Sequence, residues 1–123
     1  ENKNDDKAKL ALVELLARTY FLEGVKFPFS FFVTWVINKA YNNAIQGFSQ
    51  SLKLIAHDEM TIHVVTGKHV IKSLLQNKAQ GSYHLRDKIK DIITNMAKET
   101  AELEFEWNDY LLKDGSVQGY TKE

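Results

Sequence analysis

The stretch LIAHDEMTIHVV, residues 54–65, sets Glu59 and His63 four residues apart within a helical pattern of apolar side chains. On a regular helix this spacing separates two side chains by about 40° around the axis, so a carboxylate and an imidazole can reach one ion from one face. A second carboxylate, Glu23, follows Leu16 and Tyr20 at helical spacing and precedes Phe27, Phe29 and Phe31, which aims it at an aromatic-rich interior. An ionised carboxylate without compensation in apolar surroundings is costly, so it must be protonated, ion-paired or metal-bound. Carboxylate oxygen and imidazole nitrogen together suit iron, manganese or zinc. The plainer alternatives are a glutamate at the edge of its stripe, snorkelling or paired with Lys26 or Lys53, and a Glu/His pair that decorates the surface. Residue types and spacing leave both open.

The elements that must position these groups are helical. One proline and six glycines in 123 residues, with long 3.6-residue periodicities, predict an all-α chain of about four helices. The first spans about residues 7–26, favoured at its start by Asp5 and Asp6, with a stripe of Leu12, Leu16, Tyr20, Glu23 and Phe27. Pro28 kinks that rod or starts a second helix, which runs to about residue 45, with Gly47 marking the boundary. The third covers about residues 48–76 and carries Leu52, Ile55, Glu59, Ile62 or His63, Val70 and Leu74 along one side. NKAQGS reads as a polar loop. The fourth spans about residues 83–113 through Leu85, Ile89, Ile92, Ile93, Met96, Leu103, Trp107 and Leu111, and DGS stops it. Neither a repeat nor a linker divides residues 1–123, which read as one all-helical segment.

Composition narrows the function classes. Sixteen basic residues balance sixteen acidic ones, which gives no field favouring nucleic acid or an anionic membrane. The absence of cysteine excludes disulfides, thiolate metal sites and a cysteine nucleophile. No run of 18 or so uninterrupted apolar residues and no leader pattern is present, so a soluble intracellular chain is expected. A first residue of Glu rather than Met suggests a piece of something larger.

Three separated blocks, LEGVKFPFSFF, LKLIAHDEMTIHVVTGKH and EFEWNDYLLKDGS, together resemble the second half of the small, radical-generating subunit of class I ribonucleotide reductase, in register from about residue 10 to 123. The blocks agree in order and spacing, including a Trp-x-Asp-Tyr-Leu segment that carries no chemistry. The resemblance implies a segment of a ferritin-like bundle, in which two helices each supply a Glu and two others each supply a Glu-x-x-His pair to a di-iron or di-manganese centre. This chain holds one helix of each kind. By position, Glu23 matches the single carboxylate ligand, while Glu59 and His63 match the Glu/His pair. Asp58 matches an acidic residue on the path along which the radical leaves, and Phe27 and Phe31 match the apolar shell of the metals. That shell role and ordinary core packing are compatible.

One departure stands out. The family pattern is Glu-x-x-His, whereas Glu59-Met60-Thr61-Ile62-His63 has an extra residue, which on a regular helix swings the imidazole by about 100°. Thr66-Gly67-Lys68-His69 keeps its family-like distance from His63, so the extra residue lies between the ligands, where a π-bulge would absorb it. His57 is the competing nitrogen, but it lies about 160° around the helix from Glu59. His69 and His84 read as surface or satisfied core residues. Tyr20, one turn before Glu23, reads as core packing rather than as a radical site, and Trp35 and Trp107 as aromatic packing.

No second Glu/His pair follows Glu14, Glu99, Glu102, Glu104 or Glu106, so the chain carries half of a dinuclear ligand set. The resemblance implies that the other ligands and the radical tyrosine come from the missing first half of the small subunit. It further implies two irons (manganese is possible), a small-subunit homodimer and a large catalytic subunit as partners, and a cytoplasmic setting, that of the host if the source is viral. The activity implied is ribonucleoside-diphosphate reductase, through oxygen activation, tyrosine oxidation and radical transfer for deoxyribonucleotide synthesis, with this segment inactive alone. Two other readings compete: a different ferritin-like di-metal protein whose two copies pair, and a metal-free helical interaction module.

Overall fold

The computed structural model describes residues 3–76 and 83–116. Among these residues the chain is all-α, consistent with a segment of a ferritin-like bundle, and no strand is present. In order it forms α1 (Lys3–Phe21), a π-helical turn (Leu22–Lys26), α2 (Phe27–Ala40), α3 (Gln46–Asp58), a second π-helical turn (Glu59–Val64), α4 (Val65–Gln76), a 3₁₀ turn (Tyr83–Leu85) and α5 (Arg86–Leu111). The π turns are continuous with their flanking helices, so the expected four helices are drawn as three rods. The predicted loop NKAQGS lies outside the described residues.

The first two expected helices join because Pro28 does not break the rod. A proline removes one ladder bond, and its ring crowds the carbonyl four residues back, here that of Gly24. The π turn widens the ladder over that stretch: the Phe27 N–H donates to the carbonyl of Leu22, five residues earlier. The conflict is thus absorbed as a bulge, and α2 continues with Pro28 in its first turn.

The reversal after α2 comes earlier than Gly47, which sits inside α3. Asn42 and Asn43 take left-handed backbone angles, φ 53° and 62°, at the tip. Asn38, only 5% exposed, ties the turn together. Its Oδ1 accepts from the Ile45 N–H at 3.0 Å, and its Nδ2 donates to Gln46 Oε1 at 3.0 Å and Asn43 Oδ1 at 3.2 Å. Trp35 adds a bond from its ring N–H to the Ser49 carbonyl at 3.2 Å, which makes it a packing and anchoring residue. The Lys3–Ala40 rod is long and apolar enough to pass for a membrane span by length and composition, as core helices of soluble proteins also do.

The core lies between α1, α4 and α5, where Val13, Leu85 and Ile89 are buried and Leu10, Leu74, Leu75 and Ile93 pack around them. Val13 and Ala17 form the buried side of α1, while Leu12 is 54% exposed. The expected stripe is therefore rotated by one residue, because α1 packs against both α4 and α5 and leaves the Leu12 side open. On α3 and α5, Ile55, Leu103 and Trp107 are likewise exposed, although they belong to the predicted apolar stripes. His84 is satisfied: its Nε2 lies 2.9 Å from Asp6 Oδ1, which fastens the start of α1 to the turn before α5. After α5, Gly115 adopts φ 129°, in agreement with the DGS stop signal.

Candidate metal centre

The two π turns face each other across the gap between the first and second rods, and each carries a candidate ligand. Glu23 stands in the first, and Glu59 and His63 in the second. A ligand atom from each of the three lies within 4.8 Å of the others. The extra residue between Glu59 and His63 is taken up where it was expected, in a π turn. The wider turn brings the imidazole back beside the carboxylate, and His63 Nδ1 is hydrogen-bonded to Glu59 Oε2. His57 points elsewhere, with most of its side chain exposed and its Nδ1 3.6 Å from Asp58 Oδ1.

Two contacts allow the rods to come this close. A Cβ added at Gly24 would stand 3.3 Å from Val64 Cγ2, and one at Gly67 would stand 2.9 Å from Tyr20 Cδ2. Both glycines lie beside the ligands, and only a hydrogen in place of a side chain fits at Gly67. Tyr20 is thereby placed as a packing residue against α4, with Phe21 edge-on at 5.4 Å.

Electrostatics follows from burial and proximity. Burial raises the Glu23 carboxyl above the usual range, and its hydrogen bond to Glu59 and the Glu59 charge act in the same direction. Glu59 is held below its usual range, first by the hydrogen bond from His63 and also by that from Glu23. His63 is raised, chiefly by its hydrogen bond to Glu59. Hydrogen bonds link the three groups, while Glu23 Oε2 is shut off from solvent with no hydrogen-bond partner. A carboxylate oxygen closed to solvent and without a donor gains from a nearby cation. Two carboxylates and an imidazole form a donor set that fits iron or manganese. The alternative pairing of Glu23 with a lysine is not what satisfies this oxygen, because no donor reaches it.

The other expected site residues take less enclosed positions. Phe27 and Phe31 pack at 6.1 Å between ring centroids, one helical turn after Glu23, and Phe27 remains 37% exposed. Asp58 precedes Glu59 with its side chain 69% exposed. Trp107 stacks on Tyr110 at 5.5 Å. A residue that periodicity alone passed over is Glu104. It falls on the buried side of α5, four residues after buried Thr100, and its Oε2 is also enclosed and without a hydrogen-bond partner. The signal was its spacing of four from Thr100 and eight from buried Met96.

No protein-family profile matches the chain, and no solved structure does. Similarity to curated proteins covers nearly all of it. It is 30% identical over 112 residues to the ribonucleoside-diphosphate reductase subunit beta of Treponema pallidum, covering 89% of this chain and 30% of that protein. It is 28% identical over 123 residues to the ribonucleoside-diphosphate reductase 1 subunit beta of Salmonella typhimurium, and 26% over 129 residues to that of Escherichia coli O157:H7. These alignments cover 99% and 98% of the chain but only 31% and 33% of the relatives, so it spans about a third of their length. With the facing π turns and their three donors, these matches make the chain similar to one segment of a ribonucleoside-diphosphate reductase beta subunit.

Proposed function

We propose that the chain is one all-helical segment of a ribonucleoside-diphosphate reductase small subunit and supplies Glu23, Glu59 and His63 as half of a di-iron or di-manganese ligand set. The observation that carries this reading is the orphaned Oε2 of Glu23, a residue that with Glu59 and His63 offers one ligand atom each within 4.8 Å of one another, in a chain similar to such subunits. The bound metals would supply one-electron oxidising chemistry for making the protein radical that ribonucleotide reduction requires. The chain's own residues hold and orient. Glu23 and Glu59 bring negative charge to the gap between the rods, and His63 contributes a nitrogen aligned by Glu59. Phe27 and Phe31 keep one side apolar, and Asp58 stands at the outer edge, where a path toward the large subunit would begin. The remaining ligands and the radical tyrosine come from another polypeptide segment, so the complete activity, the homodimer, the large-subunit complex and a cytoplasmic location belong to the assembled subunit.

Metal analysis of the purified chain, alone and co-purified with a polypeptide supplying the rest of a beta subunit, tests this. The expected result is no stoichiometric metal alone and about two metals per complex. In that complex Glu59→Ala abolishes binding and His57→Ala does not. About two metals per homodimer of this chain would favour paired copies instead. No metal under either condition overturns the reading.

A further inference from the structure

A cavity of about 470 Å³ lies between α1, α4 and α5, and none of the three candidate metal ligands lines it. One face of α4 supplies most of the wall: Lys68, Ile71, Lys72 and Leu75 recur at intervals of three and one residues, with Gln76 beside them. Tyr20 of α1 and Ile93 of α5 complete it. We propose that this cavity binds an amphipathic anion, a single carboxylate or phosphate monoester head on an aliphatic body, with the head held by the Lys68 and Lys72 ammonium groups and the body laid along Ile71, Leu75 and Ile93.

Three observations select that ligand. The first is charge. No acidic residue lines the cavity, and neither Lys68 nor Lys72 is in an ion pair among the described residues, whereas Lys9 and Arg18 on α1 each hold a carboxylate one turn away. Two like charges four residues apart on a helix repel, and an anion between them relieves that repulsion while it gains from both. The second is the floor. Ile71, Leu75 and Ile93 are half-buried, and Leu75 and Ile93 pack against the core of Val13, Leu85 and Ile89, so the floor continues the core outward. A hydrocarbon laid on it removes apolar surface from water, and the lysine stems extend the apolar walls while their heads stay at the mouth. The third is the economy of polar groups. The volume falls within the range of small-molecule sites, about 300–1,000 Å³, and beyond the two ammonium groups only Gln76 and Tyr20 carry side-chain polar atoms. A body rich in hydroxyl groups would go unsatisfied there, and an aliphatic one would not. Lysines bind as point charges, so a carboxylate and a phosphate monoester share the chemistry that this mouth recognises.

The proposal is independent of metal binding, and so is its test. The full chain, with isoleucine methyl groups labelled, is titrated with octanoate, octyl phosphate, hexanoate and octan-1-ol while the methyl resonances of Ile71 and Ile93 are followed, with exposed Ile45 at the α2–α3 turn as the control. At least one of the two eight-carbon anions should shift Ile71 and Ile93 in a saturable manner and leave Ile45 in place, and the tighter of the two assigns the head group. Octan-1-ol, which lacks the charge, should bind at least about tenfold more weakly than that anion. Hexanoate, two methylenes shorter, should bind about tenfold more weakly than octanoate. The double substitution Lys68→Gln, Lys72→Gln should weaken the anion about tenfold at unchanged helicity, and exposed Lys53→Gln on α3 should leave it unchanged. Equal binding of octan-1-ol and the anions, or shifts that spread equally to Ile45, overturns the proposal. So does loss of anion binding when a polypeptide supplying the rest of a beta subunit is added, since a protein segment would then be what covers the cavity. Should the double variant fail to fold, the ligand comparison on the unaltered chain decides alone.

Discussion

Gly67→Ala isolates the contact that sets the spacing of the ligand-bearing rods. The new Cβ would stand 2.9 Å from Tyr20 Cδ2, with Tyr20 Cβ at 3.6 Å and Cγ at 3.7 Å. Carbon atoms rest at about 3.5–4.0 Å, so the closest pair falls short by roughly 0.6–1 Å. The atoms met are near the root of the Tyr20 side chain, so relief requires that whole side chain, or the rod, to move. Overpacking of this kind costs about 1–3 kcal/mol, while alanine for glycine inside a helix returns about 0.8–1.0 kcal/mol, leaving a net loss of about 0–2 kcal/mol. Stability is therefore a blunt reporter. The site is a sharp one, because metal–ligand distances tolerate only about 0.2 Å. Glu23 lies three residues after Tyr20 on one rod and His63 four before Gly67 on the other, so a displacement of that size reaches both. The expected result is a loss of about 10- to 100-fold in metal affinity of the assembled protein, measured by competition with a chelator, alongside a small change in urea stability. Tyr20→Ala in the same chain removes the ring and should restore most of the affinity while further lowering stability. Wild-type affinity in Gly67→Ala, or a stability gain of the full helix-propensity increment, would refute the reasoning.

Asn38→Ala should cost about 1–3 kcal/mol in urea unfolding, because it deletes two donated bonds and takes the acceptor from the Ile45 N–H at a partly exposed turn; a loss below about 0.5 kcal/mol would show that water replaces them. Pro28→Ala restores an N–H for the Gly24 carbonyl and should let an α ladder replace the first π turn, which turns Glu23 by up to about 100° relative to α2. Thermal stability should then rise while metal affinity falls, and a rise in both would show that the proline does not hold the bulge. Metal binding should release protons at neutral pH and strengthen as pH rises, since Glu23 and His63 both hold their protons more tightly than usual. Without metal the signs differ. The Glu59–His63 pair contributes at pH values above the lowered Glu59 range and below the raised His63 range, and fades as pH falls through the first or rises through the second. Calorimetry in two buffers of different ionisation enthalpy and pH-dependent unfolding check the two statements.

The helical periodicity identified the rods, and the departure of Glu59 and His63 from the Glu-x-x-His pattern of the resembled family pointed to a π turn that could absorb the extra residue between them. What periodicity could not specify is which neighbour covers each stripe. Leu12, Ile55 and Leu103 are spaced as core residues, yet they are open here, whereas Val13 and Ala17, which look ordinary in the sequence, are the residues that touch α4 and α5. A stripe encodes burial against something, and when that something is not among the described residues the periodicity remains while the contact does not. The π turn at Glu23 escaped for another reason. Its cause is a conflict between Pro28 and the carbonyl of Gly24, two residues that read separately as a helix breaker and a neutral interruption. Taken together they place the bulge opposite the one that runs from Glu59 to Val64. A π turn leaves its side chains off the regular helical course, so two facing bulges can turn ligands from different rods toward one point while the rods themselves stay continuous. The carboxylates would otherwise have to be brought together by bending the helices. Here the wider turns do it, and the two glycines beside them let the backbones approach.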